Sequence, residues 1–360
     1  MAKIVIVGAG VVGLTVAYEL LNEKGSNHRI TIVASQIPMD WEYNDNYTSP
    51  FAGANWASFA GPNDIRQQNI DEVGYSKFKK LAETKPEAGI IKRVDQNYVT
   101  YDRFKAWGNK IRLPWLKRMK EINFRMVDDY DKSLYRYSYA YDGFVISTTH
   151  YLTFLWNECV KSGRFELRRK KLHNLDEAYD LHHDGGKADI VINCSGIGAR
   201  ELVPDSGIYG VRGVLLLVQN DVKLDKIIGI KNVEPTYKDE GLYIMPRQEG
   251  DMVIGGCFQV GKEDEKTVSD AQCQRMLARA VKYLPWLPWK DFKIIRKQVG
   301  FRPFRKGGLR IEYDKEKKSL IHCYGHGGAG YQASWGSSAI VRKLVKDYLA
   351  DNSQKRCCKL

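Results

Sequence analysis

The sequence predicts an α/β protein, α+β overall: a doubly wound domain carrying an inserted, mainly antiparallel β domain. Three observations point there. A β-branched run at the N-terminus feeds a glycine-rich turn and a helix. Two more strand-to-glycine turns follow, one near residue 195 and one near residue 328. Between those two the texture changes to short strands separated by polar turns.

Ile4 to Val7 is short, apolar and β-branched, which fits a buried parallel strand. Gly8, Gly10 and Gly13 then carry the G-x-G-x-x-G spacing, with Ala9, Val11 and Val12 between them. Gly8 permits the turn, Gly10 lets the backbone approach a pyrophosphate, and Gly13 lets the helix pack on the strand. Val12 to Leu21 reads as that helix, its N-terminal N–H groups facing the phosphates. Arg29 to Val33 completes a Rossmann-like βαβ unit. An NAD site usually has Asp or Glu at the end of this second strand. Here Ala34-Ser35-Gln36 stands there, which weakens a nicotinamide reading.

Residues 36–65 are rich in turn formers and aromatics, and a long irregular segment of that kind is usually functional. Lys77 to Glu83 and Trp115 to Met119 read as helical. Tyr151 to Val160 is an apolar helix, and a strand starts at Phe165. Ala188 to Asn193 is a buried strand ending in Cys194-Ser195-Gly196-Ile197-Gly198-Ala199. Val214 to Val218, Leu242 to Pro246, Met252 to Phe258 and Gln298 to Pro303 read as strands, interrupted by helix Asp270 to Tyr283. Strand Ser319 to Tyr324 then runs into Gly325-His326-Gly327-Gly328-Ala329-Gly330, and helix Ser334 to Leu349 follows. That loop is a second anion or cofactor cradle.

Lys and Arg exceed Asp and Glu, giving a net charge of +13. No compact basic stripe with interleaved aromatics accompanies it, so no nucleic-acid partner is expected. Arg168-Arg169-Lys170-Lys171 and Lys315 to Lys318 read as solvated faces. The surplus helps attract anionic substrates or cofactors. The 7 cysteines form no C-x-x-C pair or metal spacing, so free buried thiols and no metal are expected. Neither a secretory leader nor a membrane span is expected.

The same segments resemble the flavin-dependent D-amino-acid oxidases, the fungal ones above all, along nearly the whole chain. The resemblance rests on eight collinear pieces: Val7 to Gly13; Ser49 to Trp56; Asn193 to Ala199; Val211-Arg212-Gly213; Tyr243 to Arg247; Gly255-Gly256; Gly300-Phe301-Arg302-Pro303; and Tyr324 to Gln332. One departure is Val214, where the family usually has Gln. The family also commonly lacks the ribose acid, and commonly ends in a peroxisomal address. Cys358-Lys359-Leu360 resembles Ser-Lys-Leu with Cys for Ser, so import into the peroxisome matrix by a receptor for that tripeptide is expected.

The resemblance implies FAD as cofactor. It implies a cofactor site made of Gly8, Ala9, Gly10, Val11, Val12, Gly13, Ala34, Ser35, Ser49, Gly53, Ala54, Asn55, Ser195, Gly196, Arg302, Gly327, Gly328, Ala329, Gly330, Tyr331 and Gln332. Arg302 matches the carboxylate-binding arginine and Tyr243 the tyrosine that donates to the same carboxylate; Phe258 and Gln332 complete the substrate residues. The implied reaction is hydride transfer from Cα of a D-amino acid to flavin N5, with O₂ as acceptor, and it needs no general base. His326 reads as a scaffold residue. Domain limits follow: a cofactor domain of 1–75, 145–210 and 310–350, a substrate domain of 76–144 and 211–309, and a targeting tail of 351–360. Animal D-aspartate oxidases carry a basic residue two positions after the glycine pair; Phe258 stands here and favours neutral or apolar side chains. Lys238, Arg247 and Arg305 remain candidate cations for an acidic substrate, and Tyr237 a candidate lid residue. D-aspartate oxidase is the alternative. A nicotinamide dehydrogenase and a non-catalytic nucleotide-binding module are the remaining readings. Homo-oligomerisation is left open.

Overall fold

The computed structural model describes residues 1–40, 47–232 and 236–357. In chain order the elements are β1 (Lys3–Val7), α1 (Val11–Leu21), β2 (Arg29–Ala34), α2 (Ile65–Thr84), β3 (Ile90–Thr100), α3 (Tyr101–Ala106), β4 (Arg125–Val127), β5 (Tyr135–Ile146), α4 (Thr148–Lys161), β6 (Phe165–Arg169), β7 (Ile190–Asn193) and α5 (Ala199–Leu202). They continue with β8 (Ile208–Gln219), β9 (Ile227–Lys231), β10 (Glu240–Pro246), β11 (Asp251–Cys257), β12 (Gln259–Val260), α6 (Asp270–Tyr283), β13 (Ile294–Arg305), β14 (Arg310–Tyr313), β15 (Leu320–Tyr324) and α7 (Gly330–Cys357).

Six strands form one sheet in the order β14-β15-β7-β1-β2-β6. Five are mutually parallel, and β14 joins as an antiparallel edge. β1 is central and its run Ile4 to Val7 is buried, as a strand covered on both faces requires. α1, α2, α4 and α7 pack together on one side, and the Lys77 ammonium meets the Glu19 carboxylate at 2.8 Å between α2 and α1. The expected boundary at residue 75/76 cuts α2 in half. α2 packs along α7, so the division moves to the turn at Pro86–Ala88 that leads into β3. Trp115 to Met119 shrinks to a single tight turn, Trp115–Arg118.

The other sheet has nine strands, β12-β8-β11-β10-β9-β3-β5-β4 with β13 also on β8. Its pairs are antiparallel except β3 with β9. Alternation in β10 sorts its two faces. Leu242 and Ile244 face α6, with Cys273, Met276, Leu277 and Ala280 opposite at helical spacing. Tyr243 and Met245 face a cavity between the two sheets. Ser269 caps α6 by accepting from the Gln272 amide. Cys159, Cys194, Cys257, Cys273 and Cys323 are free and buried. No helix among the described residues is long and apolar enough to cross a membrane.

Candidate active site

One cavity of about 920 Å³ runs from the carboxyl ends of β1, β2, β7 and β15 to the inner face of the nine-stranded sheet. Every expected site residue except Gly13 lines it. Gly13 acts one layer behind. A Cβ there would sit 2.0 Å from the Gly8 carbonyl oxygen, so Gly13 serves helix packing and is withdrawn from the cofactor contacts. Gly8 has φ +107°, and a Cβ on it would meet the Cys194 carbonyl oxygen at 2.5 Å. Only glycine turns the chain there. The N–H of Val11 donates to Ser49 Oγ at 3.1 Å, which ties the 49–55 segment to the first glycine loop. Tyr331 reinforces that tie, its hydroxyl donating to the Ser49 carbonyl at 2.7 Å.

The start of α7 opens on the same cavity, with Gly327 to Gln332 as lining. Helix N-termini leave unpaired N–H groups and a positive end, so α1 and α7 both present anion-binding ends to one space. The far end of that space near Ala34 and Ser35 is edged by Lys170 and Lys171. Both are exposed, as a solvated face requires, and Lys170 pairs with Glu177 at 2.7 Å. The glycine cradle, the two helix ends and a cavity of about 920 Å³ fit a dinucleotide.

The opposite end holds Arg302 and Tyr243. Arg302 Nη1 donates to the carbonyls of Cys257 at 3.0 Å and Arg212 at 3.3 Å. The guanidinium lies 5.8 Å from the Phe258 ring centroid, and Phe258 packs edge-on against Phe304 at 5.1 Å. Glycines clear the space both residues need. A Cβ on Gly213 would stand 2.5 Å from Arg302 Nη2; on Gly255 and Gly256 it would stand 2.2 and 2.5 Å from the Tyr243 ring and hydroxyl. Burial pushes the Tyr243 phenol up, and the Arg302 charge opposes that. The phenol therefore stays a donor at working pH. Arg212 is buried behind Arg302, donating to the Glu265 and Thr267 carbonyls and to Gln259 and Gln272. It is a structural clamp.

Some placements differ from expectation. Gln332 lines the cavity, but its amide donates toward Asp71 at 3.5 Å. Asp71 also accepts from Ser58 at 2.6 Å and Gln67 at 2.7 Å, and burial raises its pKa to about 6. The His326 ring is bonded to Ser337 Oγ at 2.9 Å. Of the three candidate cations, Arg247 pairs with Asp251 at 2.6 Å and Arg305 with Asp205 at 2.7 Å, while Lys238 is exposed and not among the lining residues. Lys231, which sequence reasoning missed, lines the cavity. Asp95, Asn97, Tyr139 and Tyr141 line it too, from strands not read in the sequence. Tyr237 lies against the Arg275 guanidinium, 4.1 Å from its ring centroid.

Comparison with known proteins agrees with this geometry. The family described as FAD dependent oxidoreductase matches residues 3–344. A D-amino-acid oxidase of Fusarium vanettenii is 33% identical over 364 residues, covering 95% of this chain and 96% of that one. A D-aspartate oxidase of Talaromyces thermophilus is 28% identical, covering 99% and 98%. The solved glycine oxidase of Bacillus cereus ATCC 14579 shares the fold, with a TM-score of 0.75 at 19% identity, covering 96% and 95% of the two chains. The glycine cradle holds a dinucleotide, the family match makes that dinucleotide FAD rather than a nicotinamide cofactor, and this chain belongs to the FAD-dependent oxidoreductases of the D-amino-acid oxidase type.

Proposed function

We propose that this enzyme oxidatively deaminates D-amino acids with uncharged side chains, giving a 2-oxo acid, ammonia and H₂O₂. The carrying observation is the Arg302–Tyr243 pair at one end of a cavity whose other end is a dinucleotide cradle. Arg302 offers a charged fork to the α-carboxylate, and Tyr243 adds a neutral donor to the same group. Held at both points, the substrate is oriented for the reaction, which converts binding energy into alignment. FAD, when bound, supplies the hydride acceptor and returns electrons to O₂. The bound amine is neutral, and no side chain takes a proton from Cα. His326, engaged by Ser337, supports the loop.

The test is anaerobic bleaching of the yellow holoenzyme by single D-amino acids. D-Ala and D-Met are expected to bleach it faster than D-Asp, and L-isomers not at all. A colourless protein that binds NAD, or a flavin no D-amino acid bleaches, overturns the proposal. Lys231 favours the second reading, D-aspartate oxidation, which a clear D-Asp preference would establish.

Peroxisomal delivery is the companion proposal. Cys358-Lys359-Leu360 lies outside the described residues. A reporter carrying residues 351–360 is expected to enter peroxisomes and to lose them when the last three residues are removed. The peroxide product suits a compartment that destroys it.

A further inference from the structure

We propose that Cys194 and Cys323 are a peroxide-sensitive thiol pair in the wall of the cofactor cradle, and that joining them as a disulfide loosens the hold on FAD. The inference rests on the proposed oxidase reaction only for its supply of H₂O₂.

The register of the six-stranded sheet sets the two thiols side by side. The parallel strands β15 and β7 pair Leu320 with Val191, Ile321 with Ile192 and His322 with Asn193. The next residue on each strand is the cysteine, so Cys323 stands opposite Cys194. The side chains follow the same order. Leu320 and Val191 pack in one core, Ile321 and Ile192 in another, and Asn193 Nδ2 lies 3.4 Å from His322 Nδ1. Alternation returns Cys194 and Cys323 to the face of Ile192 and Ile321, and both sit in that core. Their side chains hydrogen-bond each other, and His326 adds a bond to Cys323. Both are buried, and both line the cavity with Gly8, Ser195 and Gly325.

The bond from Cys194 holds the Cys323 thiol below its ordinary range against burial, and His326 helps. Burial instead pushes the thiols of Cys159, Cys257 and Cys273 up. Cys323 is therefore the nucleophile and Cys194 the partner that resolves it. The Cys323 sulfur attacks one oxygen of H₂O₂, the O–O bond breaks, and the other oxygen leaves as water with the thiol proton. The Cys194 sulfur then attacks the sulfenic acid, the S–O bond breaks, and a second water leaves with the Cys194 proton. Two thiols are oxidised to one disulfide, and one peroxide is reduced to two waters. Adjacent strands stand about 4.8 Å apart, whereas the β-carbons of a disulfide lie about 3.8 Å apart, so the bond draws β7 and β15 together by about 1 Å. Cys194 cannot shift alone. Its carbonyl oxygen lies 2.5 Å from where a Cβ on Gly8 would be, and its own Cβ lies 3.4 Å from where one on Gly13 would be. The first glycine loop moves with it, and a bond made under such strain is readily reduced.

The test maps thiols in the holoenzyme after H₂O₂ is added without substrate. After unfolding and alkylation, mass spectrometry should find the Cys194 and Cys323 peptides as one cross-linked species. It is two hydrogens lighter than their sum and is split by dithiothreitol, while Cys159, Cys257 and Cys273 are alkylated. The cross-linked protein should bind FAD about tenfold more weakly by fluorescence titration, and dithiothreitol should restore the affinity. Cys194→Ser should leave Cys323 as a sulfenic acid that dimedone traps, and Cys323→Ser should leave Cys194 a plain thiol. If a serine variant does not fold, the mapping and titration of the parent decide alone. Two alkylated thiols after peroxide, or oxidation that reaches Cys257 first, overturn the pair. A cross-linked protein whose FAD affinity stays within about twofold of the parent overturns its effect on the cradle. Turnover of D-Ala without catalase should form the same link. If D-Ala is not oxidised while added peroxide forms the link, the proposed function fails and the pair stands.

Discussion

Arg302 is fixed before any substrate arrives. Two backbone carbonyls take Nη1, and the Phe258 ring lies beside the guanidinium. A lysine keeps the charge and loses the fork, so Arg302→Lys is expected to lower kcat/KM by about 10²–10³-fold, mainly through KM, with the flavin spectrum intact. Loss of flavin along with activity would assign Arg302 to the scaffold. Asp71 makes a different prediction. Its carboxyl is buried beneath Ser58, Gln67 and Gln332, and its native pKa of about 6 exceeds the ordinary carboxylate value. The folded state therefore holds that proton more tightly than the unfolded chain. The resulting stability is complete below about pH 4 and is lost as pH rises through about 6, a change of about 2–3 kcal/mol. Asp71→Asn should flatten unfolding free energy across that window, measured in denaturant with FAD in excess. An unchanged slope between pH 4 and 7 would show that Asp71 is not the group responsible.

At the scale of elements, the first βαβ unit was legible because each part obeys a local rule: a β-branched strand, spaced glycines and an apolar helix. Helix α6 was legible to its ends because Ser269 caps it and its apolar positions repeat at helical spacing. β3 was not. Its second half buries Asp95, Gln96 and Asn97, so polar residues stand where alternation expects apolar ones. What rescues them is tertiary: partners on β5 and a cavity in front. The candidate site followed the same division. Arg302 and Tyr243 sit in short motifs that a resemblance can carry, whereas Lys231 sits at the end of an unread strand. The glycine loop offers an element-scale test. A methyl at position 13 would meet the Gly8 carbonyl, a backbone group that cannot swing aside, with Cys194 Cβ at 3.4 Å beside it. Gly13→Ala should destabilise the holoenzyme by about 1–3 kcal/mol and weaken FAD, read by thermal unfolding and flavin titration. Unaltered FAD affinity would mean that α1 can slide without disturbing the loop.

For the whole molecule, the cavity lies along the seam between two sheets whose cores are partly shared: β3 and β5 add Val99, Tyr137 and Phe144 to the core of the six-stranded sheet, and Tyr324 of β15 joins the core beneath α6. The dinucleotide cradle belongs to one sheet and the Arg302–Tyr243 pair to the other, so a bound cofactor touches both. Removing it takes away contacts across the seam and leaves a space of about 920 Å³. FAD at 100 times its dissociation constant should stabilise the fold by about 2.7 kcal/mol. For a chain of this size that corresponds to a rise in Tm of roughly 3–4 °C over the apoprotein. Because the cofactor spans the seam, its release should coincide with loss of both cores. Flavin fluorescence and far-UV circular dichroism are expected to change together on heating. A flavin signal that rises well before the circular dichroism falls would show that the seam opens by itself, and that FAD is held by the six-stranded sheet alone.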